Sequence, residues 1–96
     1  MSPPETIKDL RIRMDQVNAE LVRVLHARAK LARAMGVAKR TLAMPAVDDA
    51  REQQMLAELS AAVPANGFDS EAIKAILTEV LRHSRALVAD GAVPKP

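Results

Sequence analysis

From Glu5 to Met44 no proline interrupts the chain, and the stretch is rich in Ala, Leu, Arg, Lys and Met, so it reads as one unusually long helix over about Glu5 to Leu42. Pro3 and Pro4 close a disordered start, and Pro45 is the next breaker. Ile7, Leu10, Met14, Val17, Leu21, Val24, Leu25, Ala32 and Met35 recur at three- and four-residue steps, a helical stripe rather than strand alternation. Gly36 costs about 1 kcal/mol relative to Ala there, and it allows close backbone approach by a neighbour or a ligand. A helix of about 37 residues spans roughly 55 Å, whereas a compact chain of this length has a radius of gyration of only about 12 to 13 Å. The helix therefore overhangs its own domain, and an exposed apolar stripe of that size drives self-association. The expectation is an all-α, three-helix protomer in an intertwined homodimer with its long helices antiparallel.

Two shorter helices follow. Ala43-Met44-Pro45-Ala46-Val47 is a connection, after which Asp48 or Asp49 opens a helix to about Ala62 through Met55, Leu56 and Leu59, with Asp49 and Glu52 at capping-box spacing. Pro64-Ala65-Asn66-Gly67 is a turn cluster. Asp69 or Ser70 then caps a helix to about Ala89, whose stripe comprises Ile73, Ile76, Leu77, Val80, Leu81, Ser84, Leu87 and Val88; Asp90-Gly91 ends it. With 96 residues and no internal repeat or strand signal, one domain is expected, with its core over about 5–90 and a flexible tail over 91–96.

Composition narrows the function. Cysteine is absent and glycine numbers only 3, which excludes disulfide-stapled, zinc-ribbon and collagenous classes. Phe68 is the only aromatic residue, so base-stacking platforms have no raw material. The 14 basic and 12 acidic residues are interleaved, which argues against a nucleic-acid footprint despite a pI near 9.4. No apolar run approaches a membrane span, and the N-terminus lacks the basic region and apolar stretch of a secretory signal, so a cytoplasmic location and no membrane contact are expected. There is no thiol, no HExxH and no Gly-rich phosphate loop; His26 and His83 lack metal-ligand spacing, and no metal or cofactor is expected.

Charged and polar residues interrupt the long stripe. A register that places Met14, Leu21, Leu25, Ala32 and Met35 in one seam also places Arg11, Asn18, Arg28 and Lys39 there. Each taken singly is accounted for by an acidic partner or by snorkelling to solvent; together they suggest an anion site. Arg28 and Lys39 share a face about 16 Å apart along the axis, within joint reach of a small ligand. Arg11 lies roughly 25 Å of helix rise from Arg28, too far for both to hold one small molecule from a single straight helix. An antiparallel partner supplies an equivalent arginine, which gives two composite sites. At the start of the second helix, Arg51 adds a bidentate donor, Glu52 can accept from a ligand hydroxyl and the helix terminus favours anions, although capping alone equally explains Asp48, Asp49 and Glu52. Ser84, one turn before Val88, is either a ligand donor or a hydroxyl bonded back to its own helix. Such a site suits a reaction in which an anionic substrate is folded and its developing charge stabilised, without proton transfer or a covalent intermediate.

Leu10-Arg11, then Arg28-x-x-Leu31-Ala32-x-x-x-Gly36-x-x-Lys39, then Pro45-x-x-Asp48-x-x-Arg51-Glu52, and finally Ser84 resemble the all-helical AroQ-type chorismate mutases in order and spacing over about residues 7 to 88. The resemblance implies a cofactor-free homodimer that converts chorismate to prephenate by a Claisen rearrangement. It implies that Arg11 of the second copy and Arg28 bind the two carboxylates of the substrate. Lys39 would bond the ether oxygen and a carboxylate, Asp48 and Glu52 would contact the ring hydroxyl, and Arg51 and Ser84 would complete the carboxylate shell. Val88 departs from the pattern, because that place commonly holds Gln or Glu and Val offers no donor. The departure leaves three readings: a slower mutase, an enzyme activated by a partner enzyme of the shikimate pathway, or a different substrate. Related families act on 4-amino-4-deoxychorismate, whose amine suits Asp48 and Glu52, or are isochorismate-pyruvate lyases. From another class, a non-enzymatic helical dimerisation or regulatory module accounts for the long helix alone.

Overall fold

The computed structural model describes residues 5–92. It contains α1 (Ile7–Thr41), α2 (Asp49–Ala61) and α3 (Ser70–Ala92), with no strand among the described residues. The chain divides into two compact units, Met1–Lys30 and Leu31–Pro96, with the boundary inside α1.

Within the first unit α1 starts two residues later than its sequence pattern suggests, because Thr6 caps it. The Thr6 hydroxyl accepts from the Asp9 amide at 3.1 Å while the Asp9 carboxylate accepts from the Thr6 amide at 3.2 Å, a reciprocal box that satisfies two donors at the helix start. Every described residue from Glu5 to Ala27 is exposed, including Met14 at 60%, Val17 at 62% and Leu21 at 55%. The apolar stripe is therefore present and exposed along these described residues. Arg23 donates to Glu20 one turn back, and this hydrogen bond holds the Glu20 carboxyl below its usual range.

The second unit opens on the last turns of α1, where Ala32 and Gly36 are buried one turn apart. The helix ends in a Schellman arrangement. The Met44 amide donates to the Lys39 carbonyl at 2.7 Å and the Ala43 amide to the Arg40 carbonyl at 3.1 Å, which places Ala43 at φ 56°, the left-handed region that glycine normally fills. Ala43→Gly is accordingly expected to stabilise the protein by about 0.5 to 1 kcal/mol, read as a higher urea midpoint with unchanged slope.

Asp48 caps α2 and Asp69 caps α3, the latter by accepting from the Ala72 amide at 2.8 Å. Between them the Gly67 amide closes a turn on the Pro64 carbonyl at 3.2 Å. A Cβ at position 67 would lie 2.7 Å from the Pro64 ring, which is too stiff to swing aside, so the turn needs glycine. The Ser70 hydroxyl donates to the Ser60 carbonyl at 2.9 Å and ties the start of α3 to the end of α2.

α2 packs on α3. Leu81 is buried, with Met55, Leu56, Ile73, Leu77, Val80 and Leu87 half-buried around the shared face. Leu59, among the apolar residues of α2, and Ile76, in the α3 stripe, are exposed at 50% and 47%. Nor does Asp90-Gly91 end α3, whose backbone runs through Gly91 to Ala92; one glycine near a helix end costs less than the hydrogen bonds of the last turn return. The tail expected over 91–96 lies, beyond Ala92, outside the described residues, as do the first four residues.

Candidate active site

Asp48 is first of all a cap. Its carboxylate accepts from the Arg51 amide at 3.0 Å, three residues on, and so fixes where α2 begins. That start points the first turn's side chains, Asp49, Arg51 and Glu52, in set directions. Arg51 is exposed, and among the described residues its guanidinium reaches only Gln54, at a long 3.5 Å, which leaves most of its donors to other acceptors. The Asp49–Glu52 capping box does not form. Glu52 turns away from the helix start because a stronger donor faces it from α3.

That donor is Arg85. Its Nε and Nη2 both donate to the Glu52 carboxylate, at 3.0 Å and 2.7 Å to one oxygen and 3.2 Å to the other, and Nη2 also reaches Asp49 at 3.3 Å. The Glu52 side chain is only 15% exposed, against 83% for Asp49. Hydrogen bonding to Glu52, reinforced by its charge, raises the Arg85 pKa above the ordinary arginine value. Glu52, Gln53, Leu56, Thr78, Leu81, Arg82 and Arg85 line a cleft of about 240 Å³ between α2 and α3.

Lys39, in the last turn of α1, is half-buried, and its ammonium donates to the Ala46 carbonyl at 3.0 Å. An ammonium carries three N–H donors, so this one contact positions the group while leaving capacity for an anionic ligand. The Ser84 hydroxyl donates to the Val80 carbonyl at 2.7 Å, the back-bond to its own helix that its residue type allowed. Val88 is half-buried one turn further on. Arg11 and Arg28 belong to the first unit, where Arg11 is exposed and Arg28 half-buried. Lys39, Asp48, Arg51, Glu52, Ser84 and Val88 all belong to the second.

Arg85 is the residue that sequence reasoning missed. A signal existed: acids three apart on α2 call for a cation on the facing helix, and α3 carries Arg82 and Arg85. The pattern alone does not choose between them. In the structure Arg82 is bound to Glu79 on its own helix at 2.8 Å, which leaves Arg85 for α2.

The profile of the family described as chorismate mutase type II matches residues 10–88, a stretch that includes every candidate site residue from Arg11 to Val88. Among solved structures, chorismate mutase from Thermus thermophilus in its form II structure superposes with a TM-score of 0.83 at 36% identity, over 88% of this chain and 94% of that one. The form I structure of the same protein gives 0.79 at 36% identity, over 83% and 99%. No curated protein matches the chain significantly. No described helix is long and apolar enough to cross a membrane. Likeness of fold at this identity, over nearly the whole of both chains, joins the cation and carboxylate spacing read along the helices in one conclusion: the chain belongs to the type II chorismate mutase family, all-helical isomerases that act on chorismate.

Proposed function

We propose that two copies of this chain pair through the exposed apolar face of the first half of α1 and convert chorismate to prephenate at two composite sites, in the cytoplasm, as suits a biosynthetic family. The observation that supports the pairing is the exposure of Met14, Val17 and Leu21 along the helix that carries Arg11. Residues of this size contribute roughly 1.5 to 3 kcal/mol each when fully buried, and a second copy supplies the matching surface.

In the reaction the carbon–oxygen ether bond breaks as a carbon–carbon bond forms within the same molecule, so no proton or electron pair leaves the substrate. The protein's task is to hold the folded conformer and to stabilise charge that separates towards the ether oxygen. Arg11 of one copy and Arg28 of the other take the carboxylates. Lys39, with donors to spare beside its bond to Ala46, serves the ether oxygen. Asp48 and Glu52 accept from the ring hydroxyl, and Arg51 and Ser84 complete the carboxylate shell. Incubating the purified protein with chorismate and following the loss of its absorbance tests the reaction, since conversion no faster than the spontaneous rate removes it. Sedimentation velocity tests the pairing.

Val88 presents an apolar surface where a donor to the ether oxygen belongs. Val88→Gln is expected to raise kcat about 10- to 100-fold with little change in KM, because a donor that bonds the developing oxyanion acts mainly in the transition state. An unchanged kcat means that another group already serves that oxygen. A partner enzyme of the shikimate pathway that orders the site is a second route to the missing stabilisation; adding it should raise kcat for the native protein more than for Val88→Gln.

A further inference from the structure

We propose that Arg85 is a positioning residue which fixes Glu52 and makes the site prefer a substrate with a hydroxyl, rather than an ammonium, on its ring. The inference rests on the assignment of Glu52 to the ring substituent made above. Its starting point is an ion pair unlike the neighbouring ones. Glu20–Arg23, Glu71–Lys74 and Glu79–Arg82 each join residues three apart on one exposed helical face. Arg85 instead crosses from α3 to α2, uses two nitrogens on one carboxylate, and meets a Glu52 side chain that is 15% exposed. A two-point fork fixes the plane of the carboxylate as well as its place.

Two consequences follow for a ligand. An ionised carboxylate has about four lone-pair positions, and three bonds from Arg85 over its two oxygens leave room for a hydroxyl donor. The hydroxyl then meets an acceptor that is already oriented and needs no reordering. An ammonium in the same place gains far less, because the guanidinium offsets the negative charge it seeks and repels it directly. Nη2 reaches Asp49 as well, so the same cation offsets a second carboxylate of that turn. Glu52, one of the two acids that in the sequence alone suit an amine, carries a built-in counter-charge in the fold.

The test measures kcat and KM for chorismate and for 4-amino-4-deoxychorismate with native protein, Arg85→Ala, Arg85→Gln and Arg85→Lys. For Arg85→Ala and Arg85→Gln, KM for chorismate should rise about tenfold with kcat changed little, since a contact made equally in ground and transition states moves KM. The ratio of kcat/KM for the amine over the hydroxyl substrate should rise about tenfold or more in both variants. Arg85→Lys, which keeps the charge and loses the fork, should hold that ratio near native while still raising KM. Should Arg85→Ala fail to fold by circular dichroism, Arg85→Gln, closer in size, decides. A merely structural role lowers the melting temperature and leaves the substrate ratio where it was, and that result overturns the inference alone. Native protein inactive on chorismate overturns the functional reading and this inference with it.

Discussion

Replacing Lys39 by alanine should lower kcat on chorismate by about 10² to 10³, with the protein still folded and paired. The ammonium is the cation the site aims at the atom that gains charge as the ether bond breaks, and removal of one such preorganised donor costs that much. Lys39 also holds the Ala46 carbonyl at 3.0 Å, so part of any effect could come through the loop between α1 and α2. Melting curves separate the two. The loop contact is a single hydrogen bond to a charged donor, worth about 1.5 to 3 kcal/mol of stability, whereas loss of transition-state stabilisation appears in kcat of protein that melts normally. A folded Lys39→Ala protein of native kcat removes Lys39 from the chemistry.

The second large effect is a recovery rather than a loss. Arg11→Ala and Lys39→Ala homodimers should each be nearly inactive, because each composite site lacks one cation. After the two are mixed and subunits exchange, a mixed dimer carries one site with both substitutions and one site with neither, since a two-fold axis exchanges the contributions of the copies. At equal amounts and free exchange, half the dimers are mixed, and activity should return to about a quarter of native. An equally sharp control mixes Arg28→Ala with Lys39→Ala, which the proposed site draws from the same chain. Those substitutions then fall in different sites of the mixed dimer, and no activity should return. No recovery in the test pair, with subunit exchange complete, would falsify the assignment of Arg11 to the second copy, and recovery in the control would separate Arg28 from Lys39. Leu21→Glu, at a position 55% exposed in the single chain, should abolish pairing and activity together, since each copy would bring a carboxylate to the same apolar interface.

Much of this was legible in one dimension because helices convert spacing into position with little outside help. The proline-free run from Glu5 to Met44 defined α1 to within two residues at each end. The start lies at Ile7 because the Thr6–Asp9 box caps the helix there. The spacing of Arg28, Gly36 and Lys39, and of Asp48, Arg51 and Glu52, carried the family resemblance directly, because chemistry tied to a helix surface is tied to a period of 3.6 residues.

Partner choice was not legible. Glu52 has the right spacing to close a capping box with Asp49, and its carboxylate is drawn instead to a guanidinium 33 residues away. That competition is decided only once α2 lies on α3. Ile76 fits its stripe and is still exposed, as is Leu59 on α2, because burial needs a neighbour as well as a period. The amino-acid order thus determined the three helices, their caps and the cation pattern of the family, all set by contacts within a few residues. The tertiary structure alone decided which arginine meets Glu52, and with it the charge a ring substituent encounters, since electrostatic partnership depends on distance through space and not along the chain.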